Sequence, residues 1–178
     1  MGEPIGIDSN ALTYLIEATG SAYDPARDDP DLARERVAMI RIFLYADRGF
    51  WVPPTVRQEY GQIRDPYLFT RHDSVTGNLL LDHDSGVPEA QISARVAALE
   101  ATRASESDRR VLAEVELMGL GTLLTYDRVF ARRVHGSTAV LVTRPSEFWT
   151  TLGVAPGTDP ILTPVSSNSL SGVTWWRV

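Results

Sequence analysis

Cysteine and lysine are both missing from the 178 residues. Without cysteine there is no thiol nucleophile, disulfide, iron–sulfur cluster or cysteine-held zinc. Without lysine, all seventeen basic residues are arginines. That excludes a P-loop phosphate lysine, a Schiff-base lysine, and phosphotransfer sites that set a lysine beside their aspartates. Positive charge is also in deficit: the seventeen arginines face twenty-three Asp plus Glu, for a net charge of −6. Such a chain is not drawn to nucleic acid as a whole, and any polyanion needs a local arginine patch or a metal ion. No apolar run approaches the ~18 residues that cross a bilayer. Met1-Gly2-Glu3-Pro4 is acidic and leads straight into Ile5-Gly6-Ile7, which reads as no signal peptide and gives a cytoplasmic expectation, with no membrane partner.

What is present is the composition of a globular protein, with 43% apolar and 22% charged residues. Short apolar runs alternate with segments of helical period, which points to an α/β fold with a mainly parallel sheet. Strands are expected at Pro4–Ile7, Phe50–Val52, Thr122–Thr125 and Ala139–Leu141. Helices are expected from Ser9 or Asn10 to Ala18, from Pro30 behind an Asp29 cap, and from Thr55, where Gln58 completes a capping-box pattern. Further helices are expected over Pro88–Arg103, from Ser105 to a stop at Gly119, after Asp127, and over Ser146–Leu152. Asp65–Gly86, with His72-Asp73 and His83-Asp84 around Thr76-Gly77-Asn78, reads as a hairpin or lid loop. One domain over residues 1–152 and a tail over 153–178 are expected, the tail folding back on the domain or on a partner because tryptophans such as Trp175 and Trp176 are seldom left in water.

Four acids occupy positions where this architecture gathers ligands, near the carboxyl ends of parallel strands. Asp8 follows the first strand directly, and Asp127 comes two residues after Thr125. Glu59 lies three residues after Val56 and four before Ile63. Asp108 precedes Val111, Leu112 and Val115 by three, four and seven residues, at the start of its helix. Each has a purely structural explanation: Asp8 and Asp127 as helix caps, Asp108 as the acidic end of Ser105-x-x-Asp108, Glu59 as a first-turn acid. Four carboxylates meeting in one cleft, however, repel one another unless a cation such as Mg²⁺ or Mn²⁺ lies among them.

Asp8-Ser9-Asn10 after the first strand, Glu59 on the third helix, Ser107-Asp108-Arg109-Arg110-Val111-Leu112, and Leu123-Leu124-Thr125-Tyr126-Asp127-Arg128-Val129-Phe130 resemble, in that order, the PIN domain. The resemblance covers roughly residues 4–152. It implies a three-layer α/β/α sandwich and a divalent-metal-dependent endoribonuclease, often the toxin of a toxin–antitoxin pair of the VapC-like kind. Asp8, Glu59, Asp108 and Asp127 match the family's catalytic and metal-holding acids, with Mg²⁺ or Mn²⁺ as the implied cofactor. Ser9, Asn10 and Thr125 match supporting positions. RNA is the implied substrate, an antitoxin protein the implied partner, and homodimers are common in the family. The long Gln62–Arg103 segment and the tail depart from the common small toxin.

A net-acidic protein needs help to hold RNA, and Arg109, Arg110 and Arg128 adjoin two of the acids, so they are candidates for phosphate contact. Against that, Arg110 is spaced to pair with Glu114 along its helix. The His-Asp doublets are too few to be a metal site with only His135 besides. Trp51, Trp149 and Tyr60 suit core packing better than base stacking. Two other functions compete: a catalytically silent PIN-like interaction module, and a DNA-directed nuclease of the same fold.

Overall fold

Strand β1 (Ile5–Ile7) is fully buried and paired on both edges. β2 (Phe50–Trp51) lies on one side, with Ile5 opposite Phe50; β3 (Thr122–Leu124) lies on the other, with Gly6 opposite Leu123. β4 (Leu141–Thr143) completes the sheet next to β3, so the order is β2-β1-β3-β4 and every pairing is parallel. The protein is seen here as a computed structural model that describes residues 2–20, 23–79 and 86–178.

Parallel strands need crossovers, and helices supply them. α1 (Ser9–Ala18) and α2 (Pro30–Tyr45) join β1 to β2, and α3 (Pro54–Tyr60), α4 (Pro66–Leu79), α5 (Glu89–Ala98) and α6 (Glu106–Leu117) join β2 to β3. α7 (Arg128–Val134) joins β3 to β4, and α8 (Pro145–Thr151) follows. α2 packs on α1 and α8, while α6 packs on α5 and α3. The architecture is thus α/β with a parallel sheet, compatible with a three-layer sandwich. No helix among the described residues is long and apolar enough to cross a membrane.

Local chemistry explains most boundaries. Asp8 caps α1 by accepting from the Ala11 amide at 2.7 Å, and Asp29 caps α2 ahead of Pro30. Ser105 caps α6, whose far end turns at Gly119 with φ +74° while the Leu120 amide reaches back to the Val115 carbonyl at 3.1 Å. Gly6 has no room for a side chain: a Cβ there would stand 2.9 Å from Val115, so α6 lies tight on β1. Ile5, Ile7, Leu112, Val115, Leu123 and Leu124 form the contact between sheet and helices.

Several boundaries differ from expectation. The stretch from Asp65 is a helix, α4, and not a hairpin or loop: Asp65 caps it through the Tyr67 and Leu68 amides at 2.8 and 3.1 Å. His72 lies on it, whereas His83-Asp84 falls outside the described residues. Thr55 does not cap α3, which starts at Pro54 with no side-chain cap of its own. α5 stops at Ala98, a 3₁₀ turn follows over Glu100–Thr102, and Arg103 takes φ +58°. β4 begins at Leu141, two residues later than the apolar run suggested. Beyond residue 152, Leu170 and Trp176 are buried, and Arg41 of α2 donates to the Trp176 and Arg177 carbonyls at 3.1 and 2.8 Å.

Candidate functional site

The sheet order places a natural crevice. From β1 the chain crosses to β2 on one side and afterwards to β3 on the other, so the carboxyl ends of β1 and β3 form a topological switch point. The backbone there is pinned. The Asp8 amide donates to the Leu124 carbonyl at 3.1 Å, and the Thr125 amide donates to the Thr143 carbonyl at 3.0 Å. Asp8 and Asp127 therefore leave neighbouring strands side by side.

Each acid is positioned by a specific local bond. Asp127 caps α7 through the Val129 and Phe130 amides at 2.7 and 2.9 Å, and its own amide donates to the Thr125 hydroxyl at 3.0 Å. That hydroxyl also faces the Asp8 carboxyl, so Thr125 links the two aspartates. Asp108 sits in the first turn of α6, where its amide donates to the Ser105 hydroxyl at 3.1 Å. The Ser9 and Ser107 hydroxyls each donate to one oxygen of Glu59. Because Ser9 adjoins Asp8 and Ser107 adjoins Asp108, this two-serine bridge ties Glu59 on α3 to those two aspartates. The structure therefore gathers Asp8, Glu59, Asp108, Asp127, Ser9 and Thr125 in one region. Asn10 is exposed, and among the described residues no hydrogen bond joins it to the four acids.

The electrostatics are those of an uncompensated acidic cluster. Burial pushes the Asp8 carboxyl from its ordinary 3.8 up to about 6, and the like charges of Asp108 and Asp127 add to that rise. Bonds from Thr125 and the Ala11 amide oppose it. Among the described residues, none of the four acids forms an ion pair with an arginine. The donor set, all carboxylate and hydroxyl oxygen, has the chemistry that suits a hard divalent cation. As the side chains stand, no group of three or more His, Cys, Asp or Glu among the described residues is placed to hold a metal ion. Two of the Glu59 contacts are instead the serine bonds just described.

Two of the three candidate phosphate-binding arginines, Arg110 and Arg128, are committed elsewhere. Arg110 forks onto Glu89 at 2.8 and 2.5 Å and stands 3.6 Å from Glu114. Arg128 pairs with Asp31 at 2.7 Å. Arg109 lines a surface cleft with Glu100 and Glu106, between α5 and α6. Arg110 and Arg128 thus satisfy helix-surface acids, while the Nε of Arg109 is buried without a hydrogen-bond partner among the described residues.

Three features went unread in the sequence. Ser107 stood beside Asp108 in the motif but drew no role; a hydroxyl one residue before a first-turn acid was its only signal. Glu114, 1% exposed, accepts from the Thr55 amide at 3.0 Å and the Thr55 hydroxyl at 2.7 Å, and so caps α3 from α6. Burial raises its carboxyl above the ordinary glutamate range. Glu35, fully buried on α2, does the same for α8 by accepting from the Ser146 amide at 3.0 Å and hydroxyl at 2.5 Å, with Arg144 at 2.9 Å. His72 is buried on α4, with Nδ1 2.9 Å from the Leu68 carbonyl and Nε2 3.5 Å from the Thr13 hydroxyl. Set against protein-family models, curated proteins and solved structures, the chain matches none.

Proposed function

We propose that the protein is a divalent-metal-dependent endoribonuclease with a PIN-like fold. The observation that carries this reading is the half-buried Asp8 carboxyl at the β1/β3 switch point, crowded by Asp108 and Asp127 with no ion-paired arginine among the described residues. Such a cluster is costly unless a cation joins it. Asp8, Asp108 and Asp127 are the residues that would hold Mg²⁺ or Mn²⁺, with Glu59 held ready by Ser9 and Ser107. When bound, such an ion supplies an acidified water and neutralises charge on a phosphodiester.

The protein's own groups do the positioning. Thr125 fixes the spacing of Asp8 and Asp127, and the α1 and α7 amide bonds stop either carboxylate from swinging away. Near pH 6 the Asp8 carboxyl is poised to keep or lose a proton, and it must be deprotonated to act as a ligand. Ser9 and Ser107 hold Glu59 close to Asp8 and Asp108, where it would take a proton from an attacking water. Attack in line on phosphorus with loss of the 3′ oxygen gives a 5′-phosphate and a 3′-hydroxyl.

The direct test incubates the protein with matched single-stranded RNA and DNA oligonucleotides in Mg²⁺ or Mn²⁺. The expected result is cleavage of RNA that EDTA stops and that Asp127→Asn abolishes without unfolding the chain. Cleavage of DNA in preference to RNA would move the reading to a DNA-directed nuclease. No cleavage, together with a melting curve that neither metal moves, would leave a silent interaction module. The resemblance to VapC-like proteins supports a toxin's role, which growth arrest on expression, relieved by Asp127→Asn, would test.

A further inference from the structure

Beside the acidic cluster lies a cavity of about 160 Å³ that the phosphodiester chemistry leaves unused. Ser9, Thr13, Val56, Glu59, Tyr60 and His72 are among the residues that line it, so Ser9 and Glu59 belong to both the cavity and the cluster. Its size suits one heterocyclic base and is well below the ~300 Å³ at which pockets for drug-sized ligands begin. The wall is mixed. Val56 supplies apolar surface, and the partly buried Tyr60 ring lies 6.2 Å from the His72 ring.

The state of His72 follows from its neighbours. The Leu68 carbonyl can only accept, so Nδ1, 2.9 Å away, carries the proton. In the neutral ring Nε2 is then an acceptor. The Thr13 hydroxyl stands 3.5 Å from it, at the outer limit of a hydrogen bond, and already donates to the Ser9 carbonyl at 2.9 Å. The Nε2 lone pair is left for a donor entering the cavity.

Resting on the nuclease reading above, we propose that this cavity takes the base of single-stranded RNA next to the scissile phosphate, with the Tyr60 ring as a stacking wall and His72 Nε2 reading an N–H donor on the base edge. Adenine, cytosine and guanine each offer an exocyclic amino group to that acceptor. Uracil has no amino group, and its one donor on that edge, N3–H, lies between O2 and O4, whose lone pairs repel that of Nε2. His72 is thereby a specificity-determining residue for the position flanking the cut.

The test sequences the cleavage products of a random-sequence RNA pool for the wild-type protein, His72→Ala, His72→Gln and Ile63→Trp, each checked for folding by circular dichroism. The wild type is expected to disfavour uracil at one position flanking the cut by about tenfold, the worth of one buried hydrogen bond. His72→Ala loses that preference, and His72→Gln, whose amide oxygen still accepts, keeps most of it. Ile63→Trp fills the cavity from another wall residue and loses the preference as well; it carries the test if His72→Ala does not fold. A folded His72→Ala that keeps the wild-type preference overturns the proposal, as does a wild type that cleaves with no preference at that position. A wild type that cleaves no RNA defeats the nuclease reading itself, and this one with it.

Discussion

Replacing Asp8 by Asn should make the metal-free protein more stable at alkaline pH while removing its activity. The carboxyl rises from 3.8 to about 6 on folding, so the folded chain prefers it protonated. For an acid displaced in this direction, the favourable contribution is complete below about pH 4 and is lost as the pH climbs through about 6. Above that, the ionised carboxylate in its crowded, buried place costs about 3 kcal/mol, taking two pH units at about 1.4 kcal/mol each. Asn removes the charge but keeps an oxygen for the Ala11 amide, and it caps helices as well as Asp does. Partial exposure of the residue and a poorer match to Thr125 reduce the net gain to about 1–2 kcal/mol at pH 8. Urea unfolding in EDTA at pH 8, 6 and 4.5 measures it: the gain should be largest at pH 8 and nearly gone at pH 4.5. An Asp8→Asn protein that is less stable than wild type at pH 8, or whose gain does not change with pH, would refute the view that burial and like charges make the ionised Asp8 costly.

Three further outcomes are expected. Glu114→Ala strands the Thr55 amide and hydroxyl under α3 and should cost about 2–4 kcal/mol in urea unfolding, with Glu114→Gln costing clearly less; equal losses would show that the capping oxygens are not what matters. Ser107→Ala should lower RNA cleavage by about ten- to a hundredfold with little change in melting temperature, as removal of an outer partner of a site carboxylate does; unchanged cleavage would remove the serine bridge from the site. Trp176→Ala empties a buried position whose indole N–H donates to the Leu170 carbonyl at 2.9 Å, and should cost about 3–5 kcal/mol by thermal unfolding. A loss under about 1 kcal/mol would mean that residues past 152 add nothing to stability.

The readable parts of the chain were those decided by neighbours in sequence. Asp29-Pro30, Ser105-x-x-Asp108 and Met118-Gly119 set helix ends through bonds spanning three to five residues, and the expected boundaries at these ends match. The alternation of apolar runs with helical stretches gave the parallel sheet for the same reason. α4 was missed although Asp65-Pro66 repeats the Asp-Pro start of α2, because its exposed Tyr67, Leu68 and Phe69 blur the apolar stripe. Thr55 was misread because its partner, Glu114, lies 59 residues away, where no spacing rule reaches. In the candidate site, the placement of Asp8, Asp108 and Asp127 followed from strand ends and helix starts, whereas Glu59, expected as a first-turn acid, lies in the last turn of α3. The serine bridge to Glu59 and the diversion of Arg110 to Glu89 are long-range contacts that only folding reveals.

The buried link between Thr55 and Glu114 bears on how the chain assembles. α3 has seven residues and no side-chain cap of its own, too little to persist as an isolated helix in water. It gains its anchor only when α6 docks, which closes a loop of about 59 residues. Glu59 rides on α3, so its correct placement waits for that late, non-local step. Fragments ending before residue 114 would therefore carry Asp8 in sequence yet have no formed pocket, and competence would arrive abruptly as the second half of the chain comes together.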